Sequence, residues 1–381
     1  MRIYLDNAAT TKPLPRVVDK VNQMMLDEYA NPSSLHDFGM RAGKEVETAR
    51  GIIAENLGVE AGGVFFTSGG TESNNIAVLG AISAMRNKGK IITSHLEHKS
   101  VLEPIKKSGC EVEFINIRAD GTVDISHFES LMSGDIALVS VMHVNNETGA
   151  IQPVNEVADI IKRSGSNAIL HVDAVQGFCK IPSQNGGSAG IHADLISIGA
   201  HKIGGIKGAG ALYVKKNVRI NPLFHGGGQE QGVRSGTENT PAIAGFGVAA
   251  SEMGGKIGEN YDYVRTLNDY MRRRLLESVD DLVITSPADG SPYILSISVK
   301  NVMAEVLLHS LERHKIYISS GSACSSNKPQ ISETLLAMGV PRELIKGNIR
   351  ISFSPQNTKE EVETAAQKIA EEVKSLRRIK R

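Results

Sequence analysis

Short apolar runs alternate with longer amphipathic stretches from about residue 60 to residue 215. GGVFFTSGG, KIITSHLEH, EVEFINI, IALVSVMHVNNE, AILHVDAVQ, ADLISIGAHK and GAGALYVKK are rich in Ile, Val and Leu and read as strands. Between them, ESNNIAVLGAISAMRNKG reads as a helix closed by Gly89, and VNEVADIIKRSG as another. Apolar strands separated by helices predict an α/β domain with a mostly parallel sheet flanked by helices. A long charged helix at about 260–279 follows, then strand-like DLVITSP and PYILSISV, the helix AEVLLHSLERHK, strand-like GNIRISFS, and a terminal amphipathic helix at about 359–376. That second half predicts a smaller α+β domain.

Composition narrows the class. A chain of 381 residues exceeds what one hydrophobic core normally serves, so two domains are expected. Lys+Arg and Asp+Glu both number 42, which argues against bulk attraction to nucleic acid or an anionic membrane. Three cysteines, Cys110, Cys179 and Cys324, show no CxxC pair and no zinc spacing, so neither a disulfide scaffold nor a metal site is expected. A reducing compartment suits them better. The opening MRIYLDNAATT lacks a basic segment leading into an apolar run, and no segment holds the roughly 18 apolar residues of a membrane helix. The expectation is a cytoplasmic protein, with the basic end Lys374–Arg381 as a solvated tail.

Polar clusters sit where the strands end, which is where ligands gather in such sheets. Thr67-Ser-Gly-Gly-Thr-Glu-Ser73 exposes backbone N–H groups at a helix start, which suits a phosphate; the plainer alternative is a turn with Thr71 as N-cap. Asp173 closes an apolar strand and requires a cationic partner, or serves as a cap. Lys202 lies at the next strand end, about thirty residues on. Together, a phosphate cradle, an acid and a strand-end lysine are what pyridoxal phosphate (PLP) requires. His95 and His98 lack a nearby third metal ligand, so one imidazole stacked on a flat ring is the competing reading. The glycine-rich stretch 225–239 is long enough to be functional. Arg350, alone in an apolar strand, should meet either a structural carboxylate or that of a substrate. Cys324 stands in ISSGSACSSNKPQ, a polar stretch unlike the buried setting of most cysteines.

YLDNAATT, NPSSLHDFG, TSGGTES, LEHKS, HVNNETG, HVDAVQ, AHK, HGGGQEQGVRSGTEN and SSGSACSS occur in the order found in cysteine desulfurases, and the chain resembles their NifS/IscS branch over essentially its whole length. These are fold-type I PLP enzymes of the class V aminotransferase family. The resemblance implies a large PLP-binding domain at 13–257 and a small domain at 1–12 and 258–381 that carries a mobile cysteine loop at about 321–329. It also implies a homodimer with active sites at the interface. By matching position, Lys202 would carry PLP as a Schiff base, Asp173 would pair with the pyridinium nitrogen, and His98 would stack on the ring. Gln176 would contact the ring's phenolic oxygen, with Asn146 near that oxygen and near the substrate carboxylate. Gly70, Thr71 and His201 would bind the phosphate, joined by Thr237 of the partner subunit. Arg350 would grip the carboxylate of L-cysteine, and Cys324 would accept its sulfur as a persulfide, releasing L-alanine. The sulfur would pass to an acceptor protein, an iron–sulfur scaffold or a thiolation enzyme.

Two positions depart from the family pattern. Gly199 stands where a serine usually contacts phosphate, and Ile206 where GPKG has its proline. A selenocysteine lyase or another class V PLP enzyme is the rival activity; a transaminase has no use for the cysteine segment. A non-enzymatic sulfur-relay scaffold is disfavoured by intact Lys202, Asp173, His98 and Cys324. Cys110 and Cys179 read as structural, the latter continuing a strand into the core.

Overall fold

The computed structural model describes residues 2–86, 89–132, 134–183, 190–321 and 331–379, and its strands fall close to the predicted runs. They are β1 (Ile3–Tyr4), β2 (Val64–Thr67), β3 (Lys90–Ser94), β4 (Val112–Ile115), β5 (Ile136–Ser140), β6 (Ile169–Asp173), β7 (Leu195–Gly199), β8 (Gly210–Val214), β9 (Leu282–Ile284), β10 (Ile294–Val299), β11 (Ile316–Tyr317), β12 (Ser319–Ser320) and β13 (Asn348–Ser352). Among the described residues, one sheet runs β2-β8-β7-β6-β5-β3-β4. The strands β4, β3, β5, β6 and β7 are parallel, whereas β8 is antiparallel to both β7 and β2. Two reversals restore the direction, so β2 points the same way as β7. The carboxyl ends of β2, β3, β5, β6 and β7 therefore leave the sheet at one edge, which brings distant motifs together.

Every residue of β5 and β7 is buried, as expected of strands covered on both faces. Phe66, Val139, Val172 and Ile196 of the sheet share a core with Ile53 of the helix Asp37–Leu57 and Phe246 of the helix Thr240–Gly254. A second core lies under the antiparallel sheet β12-β13-β10-β9, against Leu267 of the helix Ile257–Ser278 and Ile369 of the helix Lys359–Ile379. The chain start joins this core: β1 pairs with β11, and Ile3 and Leu5 are buried there.

Several expectations need correction. The helix predicted to run to Gly89 ends at Ala84, after a π-helical stretch at Ile76–Gly80. Asn221 accounts for the early stop: its backbone N–H donates to the Gly80 carbonyl and its side chain to that of Ser83, taking up groups near the helix end. Thr71 is not an N-cap, because the helix opens at Gly70 with Gly69 in the capping position. Cys179 does not continue a strand; β6 ends at Asp173, and Cys179 is a buried residue at φ +53° in the turns that follow. Beyond the cysteine stretch, a helix opens at Glu333, capped by the Ser332 side chain.

One buried ion pair ties the glycine-rich stretch to the sheet. Arg50 donates through both terminal nitrogens to Glu230, at 2.9 Å each, and Glu230 also accepts the Phe66 N–H at 2.6 Å. Both side chains are at least nine-tenths buried. Replacing the arginine leaves a carboxylate in the interior without its counter-charge, so Arg50→Met is expected to cost roughly 3–5 kcal/mol. A denaturant midpoint measures it; a loss below about 1 kcal/mol contradicts it.

Candidate active site

At the end of β2 the chain turns through Ser68-Gly69-Gly70 into a helix. Gly69 sits at φ +153°, and a Cβ on Gly70 would lie 2.6 Å from Val175 Cγ2, so both positions require glycine. Glu72 accepts the Ser68 N–H at 2.6 Å and the Arg234 Nε–H at 2.8 Å. Burial pushes Glu72 up, but these hydrogen bonds prevail and hold it below the usual carboxylate range. Arg234 thus latches the 225–239 stretch to the glycine turn. Thr237 of that stretch lines an adjoining opening shared with Ser68 and Gly208, rather than the main cavity.

Asp173, at the end of β6, is 6% exposed. It accepts hydrogen bonds from Asn74 Nδ2 at 2.8 Å and the Val175 N–H at 3.0 Å. No lysine, arginine or histidine of the described residues forms a salt bridge with it. A buried carboxylate so placed calls for a cation from outside the chain. Asn74 Nδ2 also donates to Ser100 Oγ at 2.9 Å, and Ser100 Oγ lies 2.7 Å from His98 Nδ1.

This chain of contacts assigns the His98 tautomer. His98 Nδ1 accepts the Ser100 backbone N–H at 3.1 Å, and a backbone amide can only donate. Nδ1 therefore carries no proton, and the neutral ring holds its proton on Nε2. Burial lowers the His98 pKa, against the pull of Asp173 and with Lys202 and Lys99 adding to the effect. His98 is therefore a neutral imidazole with one proton to give. His95 lies apart, stacked on Phe114 with ring centroids 4.1 Å apart.

Lys202 ends the single helical turn Ala200–Lys202 after β7. Its Nζ donates to the carbonyls of Ala8 and Ala9, both at 2.7 Å. Gln176 Nε2 donates to the same Ala8 carbonyl at 2.9 Å. His201 Nδ1 lies 3.2 Å from Thr10 Oγ1, and burial, with Lys202, Lys180 and Lys207 adding, pushes its pKa down to about 4. Arg350 on β13 donates to the Asn146 carbonyl at 2.9 Å and to Asp6 Oδ1 at 3.0 Å; its Nε is buried with no hydrogen-bond partner among the described residues. A structural carboxylate therefore meets Arg350, yet the side chain also borders the cavity.

That cavity, about 420 Å³, is lined by Gly70, Thr71, His98, Asn146, Asp173, Gln176, His201, Lys202 and Arg350. Cys324 lies outside the described residues. The residues flanking its segment, Gly321 and Ile331, border a smaller pocket with His98 and Asn146. Sequence reasoning missed Ala8 and Asp6, although both belong to the quoted YLDNAATT motif. It also missed Glu97, whose pKa burial raises well above the usual value, with Asp173 adding; Glu97 accepts the Met142 N–H at 2.6 Å.

A glycine turn that opens a helix, a buried acid with no salt bridge among the described residues and a strand-end lysine fit PLP: phosphate, pyridinium nitrogen and aldehyde would each find a partner. On a mainly parallel sheet flanked by helices, they define a fold-type I PLP enzyme. The aminotransferase class-V family model matches residues 3–364, and the chain belongs to that family. It is 39% identical to a cysteine desulfurase of Trichormus azollae, over 98% of this chain and 94% of that one. It is 37% identical to the cysteine desulfurase IscS of Dictyoglomus turgidum, over 99% and 96%. Among solved structures, a NifS-like protein superposes with a TM-score of 0.91 at 37% identity, covering 98% of this chain and all of the other. A structure described as SspA in complex with cysteine superposes with a TM-score of 0.81 at 30% identity, over 93% and 100%.

Proposed function

We propose that this enzyme removes sulfur from L-cysteine with PLP, releases L-alanine and leaves the sulfur as a persulfide on Cys324. The observation that carries the reading is the meeting of Lys202, the glycine turn and cation-less Asp173 on one cavity that Arg350 also borders. When bound, PLP draws electrons from the substrate's Cα. Asp173 holds the ring-nitrogen proton, and the Gly70–Thr71 turn takes the phosphate. His201, neutral by its lowered pKa, adds a hydrogen bond there and no charge. Arg350 orients the substrate carboxylate, Lys202 takes the Cα proton, and His98 gives the proton on its Nε2. The Cys324 thiolate attacks the substrate sulfur; the new S–S bond forms as the C–S bond breaks, the released electron pair takes up a proton at Cβ, Lys202 returns the proton to Cα, and alanine leaves. The flanks Gly321 and Ile331 beside His98 support that reach.

The remaining expectations belong to the same proposal. Residues 13–257 form the PLP domain, while 1–12 with 258–381 form the smaller one. Exposed apolar side chains crowd one stretch, with Leu26, Tyr29, Leu35 and Met40 all more than 60% exposed. Such exposure of large apolar side chains supports homodimerisation, in which Thr237 of a second copy completes the phosphate site. Delivery of sulfur to an iron–sulfur scaffold or thiolation enzyme in the cytoplasm completes the reading.

The test is alanine formation from L-cysteine by PLP-loaded protein with a thiol reductant and no keto acid. Sulfide and alanine in equal amounts support desulfuration; a strict need for a keto acid overturns it in favour of transamination.

Gly199 supplies a narrower prediction. A Cβ there would meet Gly70 N at 3.6 Å and Val175 Cγ1 at 3.7 Å, both ordinary contacts, so a serine fits beside the phosphate turn. One added neutral hydrogen bond should slow PLP dissociation in Gly199→Ser by roughly 2- to 10-fold. An unchanged rate sinks the prediction.

A further inference from the structure

A glutamine amide can be turned either way, and its partners decide which atom faces the cavity. Gln176 is held at both ends. Its Oε1 accepts from Lys180 Nζ at 3.2 Å, and its Nε2 donates to the Ala8 carbonyl at 2.9 Å. A carbonyl only accepts, so Nε2 faces Ala8 and Oε1 is left to take a hydrogen from the Lys180 amine. The nitrogen has two hydrogens, Ala8 takes one, and the other remains for the cavity that Gln176 lines. We propose that Lys180 is a positioning residue for the cofactor: by engaging Oε1 of Gln176 it makes the group offered to the PLP ring oxygen a hydrogen-bond donor.

Three observations support this role. Lys180 is 4% exposed and forms no salt bridge among the described residues, so its burial is costly without a compensating task. Its Nζ sits 5.6 Å from the ring centroid of Tyr293, whose hydroxyl is buried with no hydrogen-bond partner among the described residues. Finally, Lys180, Gln176, the Ala8 carbonyl and Lys202 form one hydrogen-bonded chain reaching the Schiff-base lysine. Burial, with the charge of Lys202 adding, pushes the Lys180 pKa down to about 7, and the amine donates in either protonation state. The titratable groups facing it are Lys202 and His201 on the turn after β7, Cys179 beside it, and Tyr293.

The inference rests on the PLP reading, and the test separates the two. PLP-loaded wild type, Lys180→Met and Lys180→Arg are titrated with pH while the visible band of the bound cofactor is recorded without substrate. A donor and a nearby cation both disfavour extra positive charge at the ring, so Lys180→Met should move the band's midpoint up by about one pH unit. Lys180→Arg, which keeps the donor, should stay within a few tenths of wild type. Where the Met variant does not fold, Lys180→Ala titrated with and without ethylamine gives the same reading, the amine restoring the midpoint. A Met midpoint equal to wild type overturns the proposal. A wild-type protein with no band overturns the PLP reading, and the inference with it.

Discussion

Lys202→Ala is expected to lose at least about 1,000-fold in alanine formation from L-cysteine, because in the proposed mechanism one side chain serves as both covalent anchor and Cα base. The purified variant should also release PLP on dialysis, whereas wild type retains it. The fold should survive, since Lys202 contributes two hydrogen bonds to carbonyls of the 8–9 segment and no part of the apolar core. Retention of more than a tenth of wild-type turnover with a matching melting temperature would falsify its assignment as the base.

Cys324→Ala should separate cofactor chemistry from sulfur transfer. The variant keeps Lys202, Asp173 and the glycine turn, so its PLP content and the spectral response to L-cysteine should match wild type. Net alanine formation should nevertheless fall at least about 100-fold, since the proposed sulfur-accepting nucleophile is gone. Full activity in this variant would move the acceptor role elsewhere, and Cys179, buried behind the site, offers no accessible thiol for it.

Much of the site was legible because its motifs are local. TSGGTES, HVDAVQ and AHK each stand at the carboxyl end of a strand, and in a mainly parallel sheet those ends share an edge. The antiparallel β8 does not spoil this, since β2 on its far side points with β7 again. What stayed hidden depends on contacts between remote parts of the chain. Arg350 in an apolar strand announced a need for a carboxylate, but Asp6 lies 344 residues away and no periodicity links them. The Ala8 carbonyl carries no side-chain signal at all, yet both Gln176 and Lys202 donate to it. The His98 tautomer likewise follows from a backbone N–H that only the folded turn presents. Glu97 looks like one more surface charge in LEHKS until burial beside Asp173 raises its pKa.

The most direct measurement is the mass of the protein after one turnover. PLP-loaded enzyme is mixed with L-cysteine without reductant, alanine is counted, and the peptide containing Cys324 is weighed. The account predicts one alanine released for each sulfur atom gained, with that atom on Cys324. Alanine released while Cys324 stays unmodified, with its sulfur found only as free sulfide, would contradict it.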